Sequence, residues 1–165
     1  MVDTISELIA IDPYNWNSIA TAILCGSIVG LERQLHGKPV GIRTSILLVL
    51  SIYIFVTSYI SMTGDTANSA RIIGQIVTGV GFLGAGVMLS KDGMVLGVTS
   101  AATIWALASI GVCLAIGNLF AAIKLSLVVV FVLVGVDYLE NYVTSLTRGV
   151  HGKFTDWQRK SDKVD

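Results

Sequence analysis

The chain has 165 residues, of which 53% are hydrophobic and only 13% are charged, and its formal net charge is zero. A soluble domain typically carries about 25% charged residues, so this composition excludes an ordinary soluble enzyme, whose surface would be left with large apolar patches. Zero net charge also gives no basic footprint for nucleic acid. The composition therefore predicts a protein whose outer face meets membrane lipids.

Five apolar stretches are each long enough for a transmembrane helix, which needs about 20 residues to cross a hydrocarbon core about 30 Å thick. In chain order they are residues 16–35, 44–62, 70–89, 96–116 and 119–142. The links between them are short and contain glycine, proline, asparagine or aspartate, which is typical of turns. Short links make neighbouring helices antiparallel. The sequence therefore predicts an all-α, polytopic membrane helix bundle of about five transmembrane helices.

Basic residues are concentrated on alternate links of this bundle. The first link, the third link and the C-terminal tail hold most of them: Arg33, Lys38, Arg43, Lys91, Arg148, Lys153, Arg159, Lys160 and Lys163. Because lysine and arginine favour the cytoplasmic side, five spans place the N-terminus outside and the C-terminus inside. This gives an extracytoplasmic segment over residues 1–15, a transmembrane bundle over 16–143 and a cytoplasmic tail over 144–165.

Residues 79–84 match the pattern G-x-G-x-x-G, which marks dinucleotide sites only where it joins a strand to a helix. Here the pattern lies in the middle of the third apolar stretch, so we reject a nucleotide site. Small residues let membrane helices approach closely, whereas glycines can also let a helix unwind around a ligand. Packing within one bundle, a homodimer seam and a helix break remain alternatives for four glycines: Gly79, Gly81, Gly84 and Gly86. Gly26 and Gly30 form a further G-x-x-x-G packing pair.

Ionisable residues within membrane segments are costly, so each marks a candidate site. Five of them fall at a similar depth at the predicted inner boundary: Glu32, Arg33, Arg43, Asp137 and Glu140. Their depth suggests ion pairs of Glu32 with Arg43, or of Asp137 with Arg33. The alternative is that these side chains are interfacial anchors that face lipid headgroups. The fourth stretch adds a polar face near the same boundary, made of Thr99, Ser100 and Thr103.

The predicted midplane of the membrane contains no carboxylate, and carboxylate oxygens are the ligands that Mg²⁺ prefers. The sequence therefore assigns no metal site and no cofactor, although carbonyl groups or an oligomeric pore could still coordinate Mg²⁺. An enzyme would need a nucleophile beside a base. His36 and His151 lie in predicted interfacial loops with no obvious partners, so we expect a protein without enzymatic activity.

Four motifs in order carry a family resemblance. Gly30-Leu31-Glu32-Arg33 is similar to a G-x-E-R signature, and residues 41–44 are similar to a G-L-R-T element. GVGFLGAG at residues 79–86 is close to GIGFLGAG, and GVTSAA at 97–102, followed by Trp105, is similar to GLTTAA…W. Together the motifs resemble the MgtC/SapB family of bacterial membrane proteins. This chain departs from the family at Ser45, where many members carry histidine, and it corresponds to a short form without the soluble C-terminal domain of several members.

The resemblance implies a bundle in the bacterial inner (cytoplasmic) membrane. It also implies links to growth under magnesium limitation and, in intracellular pathogens, to virulence. The family is often described as magnesium transporters, whereas the competing view is regulation of other membrane machinery. From the resemblance and the lack of midplane carboxylates, we expect a protein that acts by contact with other membrane proteins. The alternative is a small Mg²⁺ transporter or channel.

Overall fold

The structure is a computed structural model in which residues 10–64, 69–91 and 94–142 are described. These ranges contain five helices and one two-stranded sheet. The elements in chain order are α1 (Trp16–Leu35), α2 (Ile42–Thr63), α3 (Ser69–Gly86), β1 (Leu89–Lys91), β2 (Met94–Leu96), α4 (Val98–Ala115) and α5 (Leu119–Tyr142). Residues 1–9 and 143–165, which include most of the predicted N-terminal segment and all of the predicted tail, lie outside the described residues.

Each of the five predicted stretches is a helix, and the ends of the first and the fifth coincide with the predicted ends. Local signals explain several of these ends. The Asn15 side chain accepts a hydrogen bond from the Asn17 backbone N–H at 2.8 Å, which caps the start of α1. Gly64 ends α2 in the left-handed conformation, with φ of 61°, which glycine adopts without steric cost.

The third link differs from the prediction. Helix α3 ends at Gly86 rather than residue 89, and the strands that follow form an antiparallel hairpin in which Leu89 lies opposite Leu96. Gly97 then starts α4 with φ of 86°, and a Cβ at this position would overlap the Val87 carbonyl oxygen. The sequence predicts a link here, but Leu89 and Leu96 are apolar and are assigned to the adjoining spans rather than to strands. A glycine is required where the hairpin meets α4.

Three helical segments are long and apolar enough, by length and composition, to cross a membrane: α2, α4 and residues 119–139 of α5. Helix α3 has a shorter apolar stretch, from Ala70 to Gly86. Large apolar side chains also lie on the outside of the bundle, such as Phe120 and Phe131, which are 81% and 76% exposed. An outer surface of this kind needs lipid rather than water around it. The chain is an all-α membrane helix bundle, while the count of five spans and their orientation stay predictions.

The interior is formed mainly by α1, α2 and α4. Fully buried side chains of these helices meet there, including Val29, Val49, Val56 and Leu107. Two glycines of α1 allow the closest approach of the helices. A Cβ placed on Gly26 would lie 2.6 Å from Ile46 Cα, and one on Gly30 would lie 2.6 Å from Ile42 Cα. The predicted packing role of this G-x-x-x-G pair is therefore confirmed between α1 and α2.

Candidate functional site

Glu32 and Arg33 are two charged residues buried at one end of the bundle. Glu32 is 6% exposed and Arg33 is 3% exposed. Side chains of neighbouring residues on a helix point about 100° apart. Glu32 and Arg33 can therefore both be buried only if other parts of the chain surround more than one side of α1 at this end. This end, where α1 stops and α2 and α4 begin, also carries Lys38 and Arg43, and we call it the basic end.

The Arg33 guanidinium joins α1 to α4. Its Nη2 donates a hydrogen bond to Ser100 Oγ at 3.2 Å, and Ser100 is 2% exposed in the first turn of α4. Arg33 Nη1 lies 3.7 Å from Glu32 Oε2, which is within ion-pair distance but too long for a hydrogen bond. Arg33 therefore balances the charge of Glu32 and ties two helices together by a charge-assisted contact.

His36 is a second residue that contacts Glu32, and the sequence interpretation missed it. His36 Nδ1 lies 3.2 Å from Glu32 Oε1 and 2.8 Å from the Glu32 backbone oxygen. A carbonyl oxygen only accepts, so the shorter contact requires a hydrogen on Nδ1. That hydrogen is therefore directed at the backbone and not at the carboxylate. Neither carboxylate oxygen of Glu32 has a hydrogen-bond partner among the described residues. The spacing of four residues between Glu32 and His36 is the signal that could have found this contact.

The other charged residues of the predicted inner cluster do not join this pair. Arg43 and Asp137 are both exposed, and no ion pair within the described residues includes either of them. The pairs that depth alone suggested, Glu32 with Arg43 and Asp137 with Arg33, do not form in the described part of the chain, and Glu32 with Arg33 and His36 takes their place. Glu140 lies in α5, but its side chain is outside the described part of the structure.

The polar face predicted on α4 separates into two kinds of residue. Ser100 and Thr103 are buried, whereas Thr99 is exposed. The Thr103 hydroxyl donates to the Thr99 backbone oxygen at 2.8 Å, so it is satisfied within its own helix. Of the three residues, Ser100 alone contacts the charged pair.

The glycine motif of α3 lies in one uninterrupted helix, Ser69–Gly86, so the glycines do not break the helix in this conformation. Gly81 and Gly84 face α4, where a Cβ on Gly84 would lie 3.7 Å from Ala101 Cβ and from Trp105 Nε1. A Cβ placed on Gly79 or Gly86 would meet no atom within 4 Å, so these two glycines face open space. Half of the motif therefore packs on α4, and the other half is free to meet lipid or another chain.

Chemically, this site is a buried charge pair. Over the described ranges, no three His, Cys, Asp or Glu side chains converge as metal ligands would. The two carboxylate oxygens of Glu32 keep the capacity to accept hydrogen bonds. Polar groups at this depth are costly unless a partner satisfies them, which makes Glu32 and Arg33 the leading functional candidates of the chain.

Comparison with known proteins gives three relatives that illustrate the similarity. The chain is 38% identical over 117 residues to "Protein MgtC" of Salmonella typhimurium strain LT2, which covers 71% of this chain and 49% of the relative. It is 40% identical over 106 residues to "Putative magnesium transporter YhiD" of Escherichia coli K12, covering 60% of this chain and 49% of the relative. An "Uncharacterized protein" of Haemophilus influenzae is 34% identical over 117 residues, covering 66% of this chain and 49% of the relative.

The chain thus spans about half the length of the curated relatives it matches. No solved structure is significantly similar to it. The model of the MgtC family matches residues 19–142, a range that contains α2 to α5 entirely, most of α1 and the buried pair of Glu32 and Arg33. This chain belongs to the MgtC family.

Proposed function

We propose that this chain is a non-enzymatic protein of the bacterial cytoplasmic membrane that supports growth under magnesium limitation by contacting other membrane proteins. The link to magnesium rests on family membership and on the relatives named MgtC and putative magnesium transporter YhiD. The same membership connects the chain to stress and, in pathogens, to virulence. The packed interior of the bundle favours contact rather than transport as the mode of action.

The packed interior is the observation that carries this proposal. Between α1, α2 and α4 most core side chains are apolar and buried, with buried hydroxyl groups at Ser45 and Thr103, and glycines bring the helix backbones into contact. The one buried carboxylate among the described residues, Glu32, lies beside Arg33 at the basic end of the bundle. The described ranges therefore contain no chain of carboxylates that would lead Mg²⁺, which gives up its water reluctantly, along the bundle. This arrangement favours a protein that acts through its outer surfaces.

A small Mg²⁺ transporter or channel is the second candidate. The name of the YhiD relative favours it, and so does the exposed side of α3, where Gln75, Thr78 and Gly79 face outward. Several copies arranged with these residues towards a shared axis would create a polar path that one chain does not contain over its described residues.

Transport and growth measurements separate the two candidates. We expect the purified protein in liposomes to move no Mg²⁺ above the level of empty liposomes, as followed by an enclosed Mg²⁺-sensitive dye. We also expect the same chain to restore growth in low magnesium to a bacterium that lacks its own family member. Saturable Mg²⁺ flux that disappears on Glu32→Gln would contradict the contact mode and establish the transporter.

The proposed orientation has its own test. With the basic end in the cytoplasm, the C-terminus is expected inside and the N-terminus outside. A fluorescent protein fused after residue 165 should then be bright, and alkaline phosphatase fused at the same point should be inactive, because the phosphatase folds only outside the cytoplasm. Active phosphatase at the C-terminus would reverse the orientation and place Arg43 on the outer side.

A further inference from the structure

An open groove of about 430 Å³ runs between α2 and α3. Apolar side chains of the two helices line most of it, among them Leu47, Phe55, Ile76 and Leu83. Gly79 adds space because it has no side chain and nothing lies within 4 Å of its Cβ position. Arg43, in the first turn of α2, lies at the basic end of the groove. The groove is therefore apolar along its length and cationic at one end.

We propose that this groove binds an anionic membrane phospholipid, with an acyl chain along α2 and α3 and the phosphate at Arg43. The polarity of the groove matches that of the lipid, since the charge lies at the end where the bundle meets the headgroup region and the apolar part lies at membrane depth. This lipid site does not depend on the contact mode proposed above, because it needs only a membrane around the bundle and no protein partner.

Charge complementarity identifies the headgroup. Arg43 is exposed and forms no ion pair with another described residue, so its guanidinium is available to a phosphate, which it matches in bidentate geometry. Gly41, the N-cap of α2, offers no side-chain hydrogen bond to the first turn of the helix. The Ile42 N–H of that turn already donates to Gln34 Oε1 at 3.3 Å, so the N–H groups that follow it supply the second favourable interaction with an anion at the same point.

The size of the groove fits a lipid chain. Its volume of about 430 Å³ falls in the range of small-molecule sites, about 300–1,000 Å³. From Arg43 to Phe55 it follows α2 for about 18 Å, more than half of the hydrocarbon core.

The proposal is tested by native mass spectrometry of the purified full chain. The protein is exchanged into equal amounts of phosphatidylglycerol and phosphatidylcholine, and retained lipid is counted for wild type, Arg43→Gln and Lys38→Gln. Lys38→Gln removes the same charge from an exposed residue at the same end that does not line the groove. We expect wild type and Lys38→Gln to prefer phosphatidylglycerol, and Arg43→Gln to lose about tenfold of that preference, as for one charge-assisted contact.

A second pair of variants tests the groove itself. Gly79→Leu places a side chain in the groove, whereas Gly74→Leu makes the same change at a position that is equally open but does not line it. Only Gly79→Leu should reduce retained lipid, with thermal melting showing that both variants remain folded. Equal retention of the two lipids by wild type, or full retention by Gly79→Leu, would overturn the proposal. So would a photocrosslinker at Ser51 that captures a protein helix in cells instead of phospholipid.

Discussion

Replacing Arg33 with methionine is expected to lower the free energy of unfolding by about 3–5 kcal/mol, the range for removing one partner of a buried ion pair. The change leaves the Glu32 carboxylate buried without the guanidinium that balances its charge. It also removes the hydrogen bond to Ser100, which joins α1 to α4. Reversible unfolding in mixed detergent micelles, followed by circular dichroism, measures the loss.

Two further variants give this result its meaning. The double variant Glu32→Gln with Arg33→Met removes both charges and should recover much of the lost stability, because no uncompensated charge stays buried. Arg43→Met removes an exposed arginine of the same end and should change stability by less than about 0.5 kcal/mol. A double variant as unstable as Arg33→Met would show that the bond to Ser100, and not the charge pair, carries the effect.

Replacing Gly26 with alanine is expected to destabilise the bundle by about 1–3 kcal/mol, as overpacking of a close contact does. The added Cβ would lie 2.6 Å from Ile46 Cα and 2.7 Å from Ile46 N, and backbone atoms cannot rotate away as a side chain can. Helices α1 and α2 must therefore separate. This cost outweighs the gain of about 1 kcal/mol that alanine brings to a helix interior.

Gly74→Ala is the matched control, since a Cβ on Gly74 meets no atom within 4 Å. It should be neutral or stabilising in the same unfolding measurement, because only the helix propensity changes. Gly30→Ala should resemble Gly26→Ala, with a Cβ 2.6 Å from Ile42 Cα. A Gly26→Ala protein as stable as wild type would mean that the two helices are not held in backbone contact.

The candidate site was predictable in its members but not in its contacts. Glu32 and Arg33 stand out in the sequence because charges within apolar stretches are costly. Their partners depend on which helices lie side by side, and depth alone cannot distinguish α4 from α2 or α5 as the neighbour of Arg33. Depth therefore suggested Arg43 and Asp137, whereas the fold brings Ser100 to Arg33. The contact between Glu32 and His36 is local, at a spacing of four residues, but His36 was predicted to lie in a loop and was therefore not paired with Glu32.

By itself, the sequence determined the class of protein and the positions of its five helices, because each helix needs a long apolar run and each link interrupts the apolar runs with a cluster of turn residues. Only the tertiary structure decided which small residues are contacts and which are open. Gly26 and Gly79 look alike in sequence, yet one touches the backbone of α2 and the other borders a groove. The difference arises because helix packing is set by the facing surfaces of two helices, and a single helix contains only one of them.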